Sequence, residues 1–195
     1  HEDTFGIGLS YNNETELDNK GEIFVRGKVD REQADSLGMN MEIIPSNLYL
    51  NSSAWSIKPS NISVRSGRIS VDSLVLSHDN QKIQIDGGYS KQHSDSLDLT
   101  LEQFDISSLQ PLVSNKIQFS GLATGHATIR SSESEGLGLL MNLSVDSTYI
   151  AEKPAGTILI GSSWNEEEDG FDFTIRNSLS GKSSIVADVL LQTKE

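Results

Sequence analysis

The chain of 195 residues contains no cysteine, which excludes a disulfide framework and any thiolate metal site. Basic residues are scarce. Against 28 Asp and Glu stand only 15 Lys and Arg, a formal charge of -13 that repels nucleic-acid phosphate and anionic lipid headgroups at long range. No nucleic-acid partner is expected. The acidic residues are scattered between apolar ones, the pattern of solvated faces, and their role reads as solubility. Long apolar runs are missing too: nothing approaches the roughly 18 consecutive apolar residues of a membrane-spanning helix, and His1-Glu2-Asp3 carries no basic or apolar leader signal. Aromatic residues make up only 6%, with no clustered Trp/Tyr platform of the kind that stacks on sugars.

Catalytic signatures are equally sparse. The chain has no Gly-x-Ser-x-Gly elbow and no phosphate loop, and Gly6-x-Gly8 lacks both the third glycine and the following helix. His1, His78, His93 and His126 show no i, i+4 or His-x-His pairing, so they form no metal site; His78 reads as a turn residue and His126 as a solvent-facing strand residue. Asn165-Glu166-Glu167-Glu168-Asp169-Gly170 lacks the alternating ligands of a calcium loop and reads as a charged hairpin turn. Asn13, Asn51, Asn61 and Asn142 each begin an N-x-[ST] sequence, incidental outside a glycosylating pathway. No enzyme activity, cofactor or metal is expected.

What the sequence does have is alternation. In a strand, successive side chains point to opposite faces, so a period of two marks a half-buried sheet. Phe5, Ile7, Leu9 and Tyr11 alternate with small and polar residues, as do Leu37, Met39, Met41 and Ile43. The middle third is clearest, with Ile69 and Val71, Leu74 and Leu76, Ile83 and Ile85, then Leu97, Leu99 and Leu101 interleaved with Ser96, Asp98 and Thr100. Ser66-Gly67, His78-Asp79-Asn80 and Asp86-Gly87-Gly88 supply turn chemistry between short strands. The pattern continues through Ile117 and Phe119, Leu122 to Ile129, Leu137 to Val145, Phe171 to Ile175 and Ile185 to Leu191. Leu140, Val186 and Leu190 break it, as in strands covered on both faces. One helical stretch is predicted, where Ile106, Leu109, Leu112 and Val113 follow Asp105 for about two turns before and around Pro111.

These features predict an all-β chain whose 35% hydrophobic content suffices for a core. It is read as a single β domain over 1–195 and a fragment of a longer protein. The sheet is elongated and mostly antiparallel, or alternatively folded as a β-sandwich. About fifteen strands at ~4.8 Å each would extend roughly 70 Å. An outer-membrane barrel is set aside, because aromatic girdles are missing and many runs are shorter than the roughly 9 to 11 residues needed to span. Open sheet ends make end-to-end self-association an expectation.

The order of elements between Trp55 and Trp164 resembles the TamB/AsmA-like family, the translocation and assembly module proteins of diderm bacterial envelopes. The resemblance runs through Trp55-Ser56-Ile57, Gly67-Arg68-Ile69-Ser70-Val71 and Gln81 to Gly88. It continues through Leu97 to Leu101, Phe104-Asp105-Ile106-Ser107-Ser108-Leu109-Gln110-Pro111-Leu112, and a strand-Gly-x-x-x-Gly-strand element from Phe119 to Ile129. It implies a U-shaped trough, or β-taco, with an apolar concave face. It also implies a periplasmic location within a membrane-anchored protein, phospholipid acyl chains as cargo and outer-membrane assembly proteins as partners. The groove candidates are Ile69, Val71, Leu74, Leu76, Ile83, Ile85, Leu97, Leu99 and Leu101. Alternation alone reads the same residues as an ordinary closed core, and a surface or periplasmic β-sandwich that binds glycan or protein is the alternative function.

Overall fold

The computed structural model describes residues 3–14, 18–33, 36–50, 52–90, 94–110, 117–132, 136–165, 167–168 and 170–192. Its first half comprises β1 (Asp3–Glu14), β2 (Asp18–Gln33), β3 (Ser36–Ile43), β4 (Ser46–Leu50), β5 (Ser53–Ile57), β6 (Ser60–Arg65) and β7 (Arg68–His78). The second half comprises β8 (Gln81–Ser90), β9 (Asp95–Asp105), β10 (Phe119–Ser132), β11 (Gly136–Ile150), β12 (Lys153–Asn165), β13 (Gly170–Leu179) and β14 (Lys182–Gln192). All fourteen strands belong to one antiparallel sheet whose edges are β1 and β14. The expected all-β, antiparallel architecture is therefore the one the chain adopts.

The sheet is a sequential meander. β3 and β4 are two parts of one rung, interrupted at Ile44–Pro45, where the Ile44 amide donates to the Phe24 carbonyl at 2.9 Å. β5 and β6 likewise share a rung across Lys58–Pro59, and Lys58 N–H donates to the Val75 carbonyl at 3.0 Å. Registers run through both breaks: Ile43 pairs with Ser60 and Ser46 with Ile57, while Asn61 pairs with Asp72 and Ile57 with Leu76. Fourteen strands thus make twelve rungs, and eleven spacings of ~4.8 Å span about 53 Å.

Tight turns close the hairpins because their residues accept left-handed backbone. Ser66 and Gly67 sit at φ 47° and 76°, and Ser180 and Gly181 at 52° and 76°, the two-residue geometry that matches strand twist. Asp86-Gly87-Gly88, read above as a turn, instead lies inside β8. Gly87 has φ 106°, and a side chain there would run into the Ser96 carbonyl, so the glycine marks an irregularity within a continuing strand. Beside it the β7–β8 register shifts between Val71 and Leu74, with Ser73 at φ 49°. The expected helix reduces to one 3₁₀ turn, Ile106–Leu109, opened by the Asp105 carboxylate accepting from the Ser107 amide at 2.9 Å. Leu112 and Val113 lie outside the described residues.

Two sheets packed face to face, the alternative expectation, are not what forms, since one sheet holds every described strand. The accessible surface, 12948 Å², also exceeds the about 9100 Å² of a compact monomer of this mass.

Candidate apolar binding face

Antiparallel pairing places directly opposed residues on the same face, so the register decides which side chains meet. Leu76 is opposite Ile83, which is opposite Leu101; Leu74 is opposite Ile85, which is opposite Leu99. Val71 and Leu97 flank Gly87 in the next row, and Ile69 is opposite Tyr89. All the groove candidates therefore share one face on three adjacent rungs. Rows extend from them in both directions. Leu101, Leu99 and Leu97 pair with Gly125, Ala127 and Ile129, and these with Leu143, Met141 and Leu139. On the other side Val71 and Ile69 pair with Ile62 and Val64, then with Met41 and Met39. At the β1 edge, Ile7 and Leu9 continue the face opposite Val25 and Ile23.

Over β7, β8 and β9 the reverse face is mainly polar, with Val75 the apolar exception. Thr128 donates to the Asp98 carboxylate at 2.6 Å, Lys82 pairs with Glu102, and Asp86 accepts from the Ser73 amide at 2.8 Å. His126 pairs in register with Thr100 and Asn142 and is exposed, as expected.

Burial divides the candidates, with Leu76, Ile83 and Leu101 packed against an enclosed core and the other six outside that cluster. Ile69 is 44% exposed, and the other candidates are half-buried rather than enclosed. Full burial occurs elsewhere, in a cluster of Trp55, Phe104, Ala123 and Val145 with Leu76, Ile83 and Leu101 packed at its margin. Trp55 and Phe104 stand edge-on with ring centroids 5.9 Å apart. Their strands are three rungs apart, about 14 Å in a flat sheet, so the two rings lean across the intervening rungs to meet. Sequence reasoning did not single out this cluster as the packing centre. The available signal was an aromatic just beyond the Leu97–Leu101 alternation, where Gln103 at φ 47° shifts the β9–β10 register and turns Phe104 inward opposite Ala123.

Trp55 reads in sequence as a core anchor or a sugar-stacking ring; at 1% exposure it is core. Its Nε1–H has no hydrogen-bond partner, and the His78 ring lies 5.8 Å away, fixed by Nδ1 at 2.8 Å from the Ala54 carbonyl oxygen. His78, read above as a turn residue, is instead the last residue of β7, paired with Gln81 across the Asp79–Asn80 turn. Trp164 packs edge-on against Phe171 at 4.8 Å. Asn165 caps the charged turn, its side-chain oxygen accepting from the Glu167 and Glu168 amides at 3.1 and 3.2 Å.

A cleft of about 1040 Å³ opens between β3 and β10 and is lined mainly by polar-face residues, among them Asn61, Ser70, Asp72 and Arg130. It is the wrong chemistry for an acyl chain. Arg68 crosses it to Asp95, with Nη2 at 2.7 Å and Nε at 2.9 Å from the carboxylate. The arginine passes over Gly88, where a Cβ would stand 3.0 Å from its Nη2. The hydrogen bond to Asp95, reinforced by its charge and opposed by slight desolvation, raises the Arg68 pKa above its already alkaline value. No group of His, Cys, Asp and Glu able to hold a metal occurs among the described residues, and no helix is long and apolar enough to cross a membrane.

No family model, curated protein or solved structure matches the chain.

Proposed function

We propose that the chain is a non-catalytic periplasmic scaffold whose apolar face carries phospholipid acyl chains between membranes and supports outer-membrane biogenesis, as part of a membrane-anchored envelope protein. The observation that carries this reading is the set of aligned, partly buried aliphatic rows Leu76–Ile83–Leu101 and Leu74–Ile85–Leu99 on one face of the sheet. Aliphatic rows without hydrogen-bonding groups suit an alkyl chain of any length. Each methylene transferred from water contributes about 0.8 kcal/mol, so ten of them gain about 8 kcal/mol before the entropy of binding is deducted. That is enough to hold a lipid reversibly. Binding of this kind asks nothing of catalytic groups, and transport along the face requires only that neighbouring rows be equivalent. The resemblance in element order from Trp55 to Trp164 supports the same assignment and supplies the U-shaped trough, the periplasmic setting and the assembly partners.

The test is a photo-crosslinking residue at Leu99, with Thr100 on the reverse face as control, in the full-length protein in cells, followed by mass spectrometry of adducts. Lipid captured at position 99 and not at 100 is the expected result. No adduct at either position, together with protection of position 99 from a water-soluble label, would mean that the face is a closed core and would overturn the proposal.

A further inference from the structure

Phe24 on β2 and Tyr49 on β4 lie on the reverse face, in register rows with Gly8 and with Lys20 and Asn12, and are 47% and 38% exposed. The pairing of β2 with β4 sets these rings, far apart in sequence, at the two ends of one cleft of about 480 Å³. Phe24 has open flanks. On one side it is opposite Gly8, where an added Cβ would stand 3.5 Å from the ring; on the other it meets the Ile44–Pro45 break, where neither β3 nor β4 supplies a register partner. The backbone beneath the ring is fixed, since the Phe24 amide donates to the Ser46 hydroxyl at 3.2 Å, which in turn donates to the Ile44 carbonyl at 2.7 Å. Tyr49 is opposite Lys20 and Ala54, with the Lys20 ammonium 5.4 Å from the ring centroid. Between the two rings runs the row Ser10–Glu22–Asn47, exposed throughout.

We infer that this cleft is a second binding site, one that takes a neutral oligosaccharide. A sugar ring presents an apolar C–H face that stacks on an aromatic ring, and a rim of hydroxyls that both donate and accept. The cleft supplies the complement: two aromatic rings, and between them a carboxylate that accepts and an amide and a hydroxyl that do both. Lys20 and Glu22 bring one charge of each sign, so the lining favours neither an anion nor a cation. An acyl chain fits worse, because it would strip water from Glu22 and Asn47 without replacing their hydrogen bonds. Lys20 and Phe24 are four residues apart on β2, about 13 Å at ~3.3 Å each, which suits a short run of sugars laid along the strand. The volume falls among those of small-ligand sites, about 300–1,000 Å³. No free edge is needed, since a strand beside β1 would extend the sheet in its own plane and leave the cleft open. The site goes beyond the lipid-carrying reading and lies on the opposite face.

The test titrates the chain with cellotriose, maltotriose and the chitin trisaccharide, followed by saturation-transfer NMR and calorimetry. Binding of at least one is expected, weakened about tenfold by Phe24→Ala or Tyr49→Ala, each of which removes one stacked ring. Asn47→Leu should weaken it as well while keeping the far-UV circular dichroism of the sheet, because position 47 is exposed and a strand accepts leucine. It therefore decides the matter even where an aromatic variant does not fold. His126→Ala, exposed on the reverse face away from the cleft, is expected to bind as wild type does. Binding of none of the three sugars would overturn the inference. So would affinity unchanged in Asn47→Leu and in a folded Phe24→Ala, or an equal loss in His126→Ala. Lipid capture at Leu99 reports on the other face, so failure here and failure of the lipid proposal are told apart.

Discussion

Trp55 and Phe104 touch ring to ring although the whole of β7 and β8 lies between their strands in the sheet. This contact converts a ribbon of nearest-neighbour pairings into a structure with a tertiary centre. Phe104→Ala is expected to cost about 3–5 kcal/mol, the range for truncating an enclosed aromatic side chain. Leu97→Ala, on the half-exposed part of the same face, is expected to cost less because its cavity is already partly open to water. Urea denaturation of the two variants, compared at equal slope, checks the ordering.

The Arg68–Asp95 pair joins β7 to β9 across a rung, and Gly88 is what lets it pass. Gly88→Val should displace the guanidinium and loosen the start of β9, read as faster amide exchange at Ser96 and Leu97. Arg68→Lys should resemble Arg68→Ala more than wild type, because a single ammonium cannot reproduce the two-nitrogen grip on the carboxylate.

The pH dependence of this pair follows from the direction of the shift. Asp95 raises the pKa of Arg68 in the folded chain, so the corresponding stability is fully present below the ordinary arginine value and is lost only as pH rises through the still higher folded value. Between about pH 6 and 9, well inside the range in which arginine stays fully charged, the stability difference between wild type and Arg68→Ala is expected to be flat. A slope in that window, measured by denaturation at several pH values, would assign the titration to another group.

Gly87→Ala is expected to destabilise by at least about 1 kcal/mol, since its φ of 106° is strained for any L side chain and the added carbon meets the Ser96 carbonyl. Gly67→Ala serves as the comparison: its φ is 76°, yet nothing lies within 4 Å of an added Cβ, so only the backbone term applies. Thermal unfolding of the pair separates the steric cost from the conformational one.

Small-angle scattering should give a radius of gyration clearly above the about 16 Å of a compact chain of this length. The excess accessible surface and the twelve-rung sheet both require it. A value near 16 Å would mean that the sheet closes on itself in solution.

Much of this architecture was legible in the sequence because the side-chain period of a strand survives without knowledge of the partner. Leu97, Leu99 and Leu101 declared a face, and their neighbours Ile83 and Ile85 declared the same one, so the register only had to align them. Turns at Ser66–Gly67 and Asp79–Asn80 were readable from residue chemistry. Asp86-Gly87-Gly88 misled for a physical reason: glycine is the residue of tight turns and also of irregularities inside a strand, and only the continued pairing of Gly88 with Ser70 and Tyr89 with Ile69 distinguishes them. The shared rungs left no signature in the alternation, since the pairing simply continues past the breaks at Pro45 and Pro59. The Trp55–Phe104 contact had no local signature, because it joins strands three rungs apart rather than depending on either residue's neighbours in sequence.

A meander in which every rung hydrogen-bonds only to the rungs before and after it has an unusual mechanical character. Pulled by its two termini, such a sheet is loaded as a zipper, with force concentrated on one hairpin at a time instead of shared among many. The outer hairpins at β1 and at β14 should peel away at low force. The central block, tied together by Trp55 and Phe104, should yield last and abruptly, leaving a compact remnant around the middle strands as the most persistent part of the chain under tension.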